Sequence, residues 1–180
     1  MLRARDGDRI AFAALVDRSI DRWYAVARLI VRDDHRAEDA VQDALLRAWL
    51  GIRGLREPDR FDAWAHRLVV HACYTAARRE RSRRLIEIQV MVLDGPASAD
   101  SESSLATRDQ LERGFRRLSP EQRAVLAVHY YLDLPDAQAA EVLDVPIGTM
   151  KSRLNRATAA LRAALAADDR APALAEGRTA

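Results

Sequence analysis

The sequence predicts an all-α protein made of two small helical domains joined by a flexible linker, the second of which contains a helix-turn-helix. Apolar residues recur at steps of three and four through most of the chain, which is the spacing of one side of a helix. The 180 residues include only 7 glycines and 6 prolines, which disfavours a β architecture with many turns. The small, polar segment DGPASADSESS, residues 94–104, separates the helical patterns into two groups.

The composition excludes several classes of protein. The formal net charge is only +2, so a nucleic acid would have to be bound by local basic patches and not by a global field. The single cysteine, Cys73, excludes an internal disulfide framework and a cysteine-rich zinc site. The first residues turn polar too early for a signal peptide, and no apolar run approaches the roughly 18–20 residues that cross a bilayer. We therefore expect a cytoplasmic protein with no membrane insertion.

Residues 8–86 predict a first domain of three helices. Apolar side chains follow helical spacing from 8 to 31 and again from 34 to 52, and a third helix begins after Pro58 and ends near Arg84. The apolar segment LIEIQVMVL that follows fits a helix extension, a short strand or a docking segment, and the pattern does not decide among them. We place the linker at residues 87–104.

Residues 105–166 predict a second domain of four helices. Its first helix ends near Leu118, where the sequence SPEQ predicts a capping box, with Ser119 as the cap and Gln122 as its partner. This next helix ends near Leu132, and a short helix at 135–143 leads through a tight turn into a long helix at 147–166. The tail, residues 167–180, is expected to be disordered.

The last two helices of this second domain have the pattern of a helix-turn-helix. Met150, Leu154, Ala157 and Leu161 form one apolar stripe, and Asp144 stands where a left-handed residue is usual. An αα-hairpin with a solvated polar side is the alternative, but the outer side carries cations and hydrogen-bonding groups without carboxylates, which favours a helix that reads duplex DNA. The candidate DNA-binding residues here are Thr149, Lys151, Ser152, Arg153, Asn155 and Arg156.

The third helix carries a second candidate nucleic-acid surface. Cations alternate with an aromatic ring and an imidazole along one side, which suits single-stranded nucleic acid because arginines bind phosphates and flat rings stack on unpaired bases. The alternative is a solvated basic helix end. The candidate residues of this surface are Arg67, His71, Tyr74, Arg78 and Arg81.

The second helix is apolar on more sides than one core requires. Leu46 and Trp49 lie outside its main apolar stripe, next to polar and acidic residues, which is typical of a docking surface. The alternative is that both residues pack under the first helix. The candidate docking residues are Asp39, Gln42, Asp43, Leu46 and Trp49.

Three segments together resemble the extracytoplasmic-function (ECF) group of bacterial RNA polymerase sigma factors, a part of the sigma-70 family, over residues 8–165. RAEDAVQDALLRAW resembles the polymerase-docking segment, and FDAWAHRLVVHACYTAARRERSRR resembles the helix that opens the −10 promoter element. Because of this resemblance, we call the basic surface of the third helix the −10 stripe. LSPEQRAVLAVHYYLDLPDAQAAEVLDVPIGTMKSRLNRATAALR resembles the domain that reads the −35 element. The resemblance implies a sigma factor that binds core RNA polymerase and promoter DNA, and it leaves open whether an anti-sigma protein exists.

Four positions depart from the family's common residues. His71 stands where Asn is frequent and Thr75 where Asp is frequent, so the preferred −10 sequence is expected to be unusual. Asp144 replaces the usual glycine of the turn, and Ala139 replaces a larger aliphatic residue.

Competing functions explain less of the sequence. A stand-alone helix-turn-helix regulator would leave the docking residues and the −10 stripe without a role, and an adaptor that only binds proteins would leave both basic surfaces without one. An enzyme is not expected, because the chain has no glycine-rich phosphate loop. His66 and His71 are five residues apart, which is the wrong spacing for two metal ligands on one helical side. We therefore expect no catalytic residue, metal or cofactor.

Overall fold

The structure is a computed structural model that describes the backbone of residues 1–90 and 106–176, and the side chains of residues 1–83 and 110–167. None of these residues lies in a strand, so the all-α prediction is confirmed for the described part of the chain. The helices are α1 (Leu2–Arg5), α2 (Arg9–Asp17), α3 (Ile20–Val31), α4 (Asp34–Gly51), α5 (Phe61–Val90), α6 (Ala106–Arg116), α7 (Pro120–Leu126), α8 (Asp136–Val142) and α9 (Ile147–Glu176).

The first predicted helix is in fact two helices. The Asp8 carboxylate caps α2 by accepting hydrogen bonds from the backbone N–H groups of Ile10 and Ala11. The helix ends at Asp17, and α3 starts again at Ile20, so the prediction of one helix over 8–31 was wrong. The apolar spacing continues across the break because both helices contribute to the same core.

The N-terminal block consists of α1 to α5, and α3, α4 and α5 pack on one another around its core of apolar side chains. Trp23 and Ile30 of α3 are fully buried, and small residues such as Ala44 of α4 and Ala65 of α5 let the helices approach closely. Helix α5 continues to Val90, beyond the predicted end near Arg84. The segment at 85–90 is therefore helical, so the helix reaches into the predicted linker at 87–104, and the bounds of that linker stay a prediction. The predicted linker at 94–104 lies outside the described residues.

The C-terminal block consists of α6 to α9. The capping box is confirmed: Gln122 N–H donates to the Ser119 hydroxyl, and Ser119 N–H donates to the Gln122 side chain. Helix α7 continues into a wider π-helical turn, Ala127–Tyr131. At Gly114, an added Cβ would lie 2.9 Å from the Leu165 side chain, so glycine is what lets α6 approach α9. Helix α9 extends to Glu176, which corrects the expected disorder from residue 167; residues 177–180 lie outside the described part.

The predicted helix-turn-helix is present in this block. Helix α8 ends at Val142, Asp144 adopts the left-handed conformation with φ of 56°, and α9 begins at Ile147. Met150 and Ala157 are fully buried on the inner side of α9, as the apolar stripe predicts.

The two blocks also contact each other. Helix α3 packs on α7, and α5 packs on α8. The buried side chain of Arg123 on α7 donates from Nε to the Ile30 carbonyl at 2.6 Å and from Nη1 to the Leu118 carbonyl at 2.8 Å. Arg32 pairs with Glu112 at 3.0 Å. The structure is therefore closed, with one block resting on the other.

Candidate nucleic-acid and polymerase interfaces

The outer side of α9 presents its polar residues in two directions. Lys151, Ser152, Asn155 and Arg156 are exposed, whereas Thr149 and Arg153 are half-buried. Arg156 donates to the Ser152 carbonyl at 3.2 Å and to its hydroxyl at 3.3 Å, which holds the guanidinium along the helix. Lys151 lies 3.5 Å from an Asp136 carboxylate oxygen. The four exposed side chains include the hydrogen-bond donors that a helix in the major groove needs. Arg153 belongs to a different surface of the protein.

The −10 stripe lies on one side of α5, as the spacing predicts, but some of its side chains contact residues of the other block. Arg78 and Arg81 are exposed, and neither forms a hydrogen bond or an ion pair with the described residues. Arg67, by contrast, pairs with Asp144 of the other block at 2.8 Å. The His71 and Tyr74 rings meet edge to face, with centroids 6.3 Å apart, and His71 Nε2 lies 3.9 Å from an Asp144 oxygen.

Tyr74 lies at the centre of the stripe and is largely covered. Its hydroxyl is inaccessible and has no hydrogen-bond partner among the described residues. Burial raises the pKa of Tyr74 to about 12, although the nearby Arg153 guanidinium opposes that shift. The ring is therefore neutral at physiological pH. It offers a flat surface for stacking only if the side of α5 that carries it is uncovered.

A cleft of about 800 Å³ lies between the two blocks and joins the two predicted DNA-binding surfaces. Tyr74, Arg78 and Arg81 of α5 line one wall, and Arg153 of α9 lines the other. Asp33, Glu80 and Glu121 are the only acids among the lining residues, against seven arginines. The cleft is therefore cationic, and its cations come from both blocks.

The candidate docking residues on α4 separate into exposed and packed side chains. Leu46 is 58% exposed, and Asp39 and Gln42 are also exposed. Asp43 pairs with Arg47 one turn along the helix at 2.8 Å. Trp49 instead packs edge to face on Phe12 of α2, with ring centroids 5.1 Å apart. The alternative of packing under the first predicted helix is therefore correct for Trp49 and wrong for Leu46.

Sequence reasoning missed the arginines that connect the two blocks. Arg123 is only 9% exposed and donates to carbonyl groups alone, and burial, together with the nearby Arg32, lowers the pKa of Arg123 to about 10. Its position next to the apolar run AVLAV was the available signal, because an arginine on a buried helical side needs partners. Its partner Ile30 is 93 residues away, and no local pattern could name it.

The described residues contain no arranged set of metal ligands and no accessible thiol. No group of three or more His, Cys, Asp or Glu side chains among them is arranged to hold a metal ion. Cys73 is fully buried, and burial raises the pKa of its thiol to about 12. Among the same residues, no helix has both the length and the apolar character to span a membrane.

Comparison with known proteins places both blocks in one family. The model of sigma-70 region 2 matches residues 15–83, and the model of sigma-70 region 4 matches residues 108–161. The ECF RNA polymerase sigma factor SigM of Mycobacterium tuberculosis is 35% identical over 155 residues, which cover 86% of this chain and 77% of SigM. SigW of Bacillus subtilis, another ECF sigma factor, is 26% identical over 171 residues, or 89% of this chain and 91% of SigW.

Solved structures have the same fold. The sigma factor RpoE of Bartonella quintana, determined with the anti-sigma factor NepR, matches with a TM-score of 0.68 at 23% identity over 88% of this chain and 98% of RpoE. CnrH, determined with the cytosolic domain of CnrY, matches with a TM-score of 0.65 at 26% identity over 93% of this chain and 95% of CnrH. The helical architecture, the two matched regions and the SigM similarity lead to one conclusion: the chain belongs to the ECF group of RNA polymerase sigma factors.

Proposed function

We propose that this sigma factor directs transcription through three surfaces, one each for core RNA polymerase, unpaired −10 DNA and −35 duplex DNA. The observation that carries the proposal is the set of unneutralised cations on two helices of different blocks. Arg78 and Arg81 on α5 and Arg156 on α9 are exposed and have no ion-pair partner among the described residues. Cations kept in this state are suited to the phosphates of a nucleic acid.

The polymerase surface is the exposed side of α4. Leu46 offers an apolar contact, and Asp39 and Gln42 surround it with polar groups, which is the composition of a small docking site. Trp49 acts indirectly, by fixing α4 against Phe12 of α2. We therefore assign direct contact with the polymerase to Leu46 and its polar neighbours.

The −10 surface is the stripe on α5. Its arginines follow the backbone of the melted strand, while Tyr74 and His71 present rings for unpaired bases. The two rings lie next to each other on α5, with centroids 6.3 Å apart, so one strand that follows this side of the helix passes both. Because stacking requires bases that have left the duplex, these contacts stabilise the melted state more than the closed promoter.

The −35 surface is the exposed group on α9. Lys151, Ser152, Asn155 and Arg156 provide donors, and Ser152 and Asn155 also provide acceptors, for base edges and phosphates in the major groove. The first turn of α9 adds unpaired backbone N–H groups for a phosphate.

The proposed partners are core RNA polymerase and promoter DNA. We add an anti-sigma protein, because RpoE of similar fold was determined with one. The proposed site of action is the cytoplasm, where bacterial polymerase and DNA meet, and the chain acts as a binding factor and not as an enzyme.

The test is transcription of a randomised promoter library by core polymerase with and without this protein. We expect defined start sites that need both, with a shared −10 and −35 sequence upstream. Arg156→Ala should change the preferred −35 sequence if Arg156 reads a base. If it contacts a phosphate, the same change should weaken binding to all sequences and reduce the salt slope by about one.

Arg162→Ala is the matched control, since Arg162 is an exposed arginine of the same helix outside the proposed set. Specific DNA binding without any polymerase-dependent transcript would instead support the stand-alone regulator.

A further inference from the structure

The cleft between the two blocks holds more positive charge than its acids can neutralise. Seven arginines and three acids line it, which leaves an excess of four positive charges. Glu112 adds one negative charge beside the cleft, but Arg32 and Arg116 share its carboxylate, at 3.0 Å and 3.5 Å. Arg36 pairs with Glu80 at 2.7 Å. The lining arginines without an ion-pair partner among the described residues are Arg78, Arg81, Arg123 and Arg153.

Arg123 brings one of these charges into the interior. It is 9% exposed, and the described partners of its guanidinium are two backbone carbonyls and no carboxylate. Burial and the nearby Arg32 lower the pKa of Arg123 to about 10. Burial also lowers the pKa of Arg32; Glu112 opposes that shift, and Arg116 adds to it. Arg32, Arg116 and Arg123 therefore lie close enough to repel one another, and an anion among them would relieve that repulsion.

The size and the lining of the cleft suit a small ligand. Its volume of about 800 Å³ lies within the range of roughly 300–1,000 Å³ that is usual for small-molecule sites. The lining also contains the Tyr74 ring and the apolar side chains of Val31 and Ala77. The cleft thus combines a concentrated positive charge with a flat ring and apolar surface.

The charge of the cleft indicates the chemistry of the ligand. The planar fork of an arginine matches the oxygens of a phosphate, and several arginines together favour a ligand with several phosphates. The excess is four positive charges, or three when Glu112 is included. A triphosphate group carries about four negative charges at neutral pH, so it balances this excess.

We propose that this cleft binds the triphosphate group of a small molecule, either inorganic triphosphate or a nucleoside triphosphate. The phosphates lie among Arg32, Arg116 and Arg123 and supply the counter-charge that these cations lack. Arg32 follows α3 in the N-terminal block, whereas the other two belong to the C-terminal block, so the ligand joins the two blocks. The proposal does not rest on the assignment of the DNA surfaces, because none of these three arginines belongs to the −10 stripe or to the −35 surface.

The test uses variants from both sides of the cleft. Arg116→Gln removes a cation whose side chain is 53% exposed, so the fold should be retained. Arg162→Gln is the matched control, since Arg162 is an exposed arginine of the same block that does not line the cleft. Arg32→Gln removes the cation of the N-terminal block, and Arg32→Lys keeps a charge at that position. Thermal unfolding of each variant without ligand, followed by circular dichroism, shows whether the fold is kept.

Isothermal titration calorimetry of the full chain measures the binding of tripolyphosphate, ATP and sulfate in magnesium-free buffer. We expect a single tripolyphosphate per chain with Kd below about 1 mM, and weaker binding of the smaller charge of sulfate. Arg116→Gln should raise Kd about 1.4- to 5-fold, the range for partly exposed ion pairs. Arg32→Gln should raise it at least as much, because the Arg32 side chain is only 16% exposed, and Arg32→Lys should raise it less.

The two triphosphates distinguish the sources of the ligand. Equal Kd values for tripolyphosphate and ATP would show that the cleft recognises the triphosphate group alone. Tighter binding of ATP would show that the nucleoside also contacts the cleft. Both results support the proposal.

Three results would overturn it. Tripolyphosphate could fail to bind saturably, or Arg162→Gln could weaken binding as much as Arg116→Gln, which would mean that any exposed arginine suffices. A folded Arg32→Gln variant could also bind with an unchanged Kd, which would remove the N-terminal block from the site. If Arg32→Gln does not fold, the comparison of Arg116→Gln with Arg162→Gln decides. Neither DNA nor polymerase is present in these measurements, so their failure is distinguishable from a failure of the proposed function.

Discussion

Leu46 and Trp49 are neighbours on α4, yet the structure predicts opposite consequences for their removal. Leu46 is 58% exposed, so Leu46→Ala should leave the free energy of unfolding within about 0.5 kcal/mol of the wild type. Burying a whole leucine side chain contributes about 1.5–3 kcal/mol, and 58% of that range is roughly 0.9–1.7 kcal/mol. If docking covers the exposed part, Kd for core polymerase should rise about four- to twentyfold.

Trp49→Ala should instead destabilise the fold. Its ring is half-buried and meets Phe12 edge to face at 5.1 Å between centroids. Truncating a fully buried aromatic residue costs about 3–5 kcal/mol, and the partial exposure lowers our expectation to about 2–3 kcal/mol. Weaker polymerase binding by this variant would then follow from unfolding and from a displaced α4, and not from a lost contact.

The assay combines urea unfolding, followed by circular dichroism, with fluorescence titration of core polymerase. Ile10→Ala is the control, since Ile10 is 79% exposed in the same block but lies on another helix. It should change neither quantity. Normal polymerase binding by Leu46→Ala would refute the docking assignment, and an unchanged stability of Trp49→Ala would refute the inferred role of the contact with Phe12.

The remaining predictions concern melting, capping and pH. Tyr74→Ala should slow open-complex formation more than it weakens initial promoter binding, and His71→Asn should shift the preferred −10 sequence. Both effects can be measured on a library of −10 sequences through the reactivity of unpaired thymines. If neither melting nor preference changes, the −10 stripe is only a solvated surface. Ser119→Ala should lower the free energy of unfolding by about 1 kcal/mol through loss of the cap, whereas Ser82→Ala, at an exposed position inside α5, should change it little. Burial lowers the pKa of His66, so the folded state takes up this proton at a lower pH than the unfolded chain does. The contribution of His66 to stability is therefore present above its unfolded pKa of 6.5 and is lost as pH falls. His66→Gln should reduce the loss of stability between about pH 7.5 and pH 5.5. An equal loss in the wild type and in this variant would contradict the reasoning.

The candidate surfaces could be predicted in part. Helical spacing placed Arg67, His71 and Tyr74 on one side of a helix, because the period of 3.6 residues converts sequence separation directly into direction. It could not show that Asp144 lies against two of them, since that contact joins positions more than 70 residues apart. Nor could spacing distinguish Leu46 from Trp49, because whether an outward side chain is covered depends on where another helix packs.

The sequence by itself determined the features that depend on local geometry. The capping box at Ser119, the left-handed Asp144 and the apolar stripe of α9 each involve residues within a few positions of one another, where backbone sterics and hydrogen bonding decide the outcome. Only the tertiary structure decided how the two blocks meet. The buried Arg123 finds its acceptor at Ile30, on a helix of the other block, and the choice of that acceptor depends on burial over the whole surface. This contact depends on how distant segments pack together, and the periodicity of the sequence does not predict it.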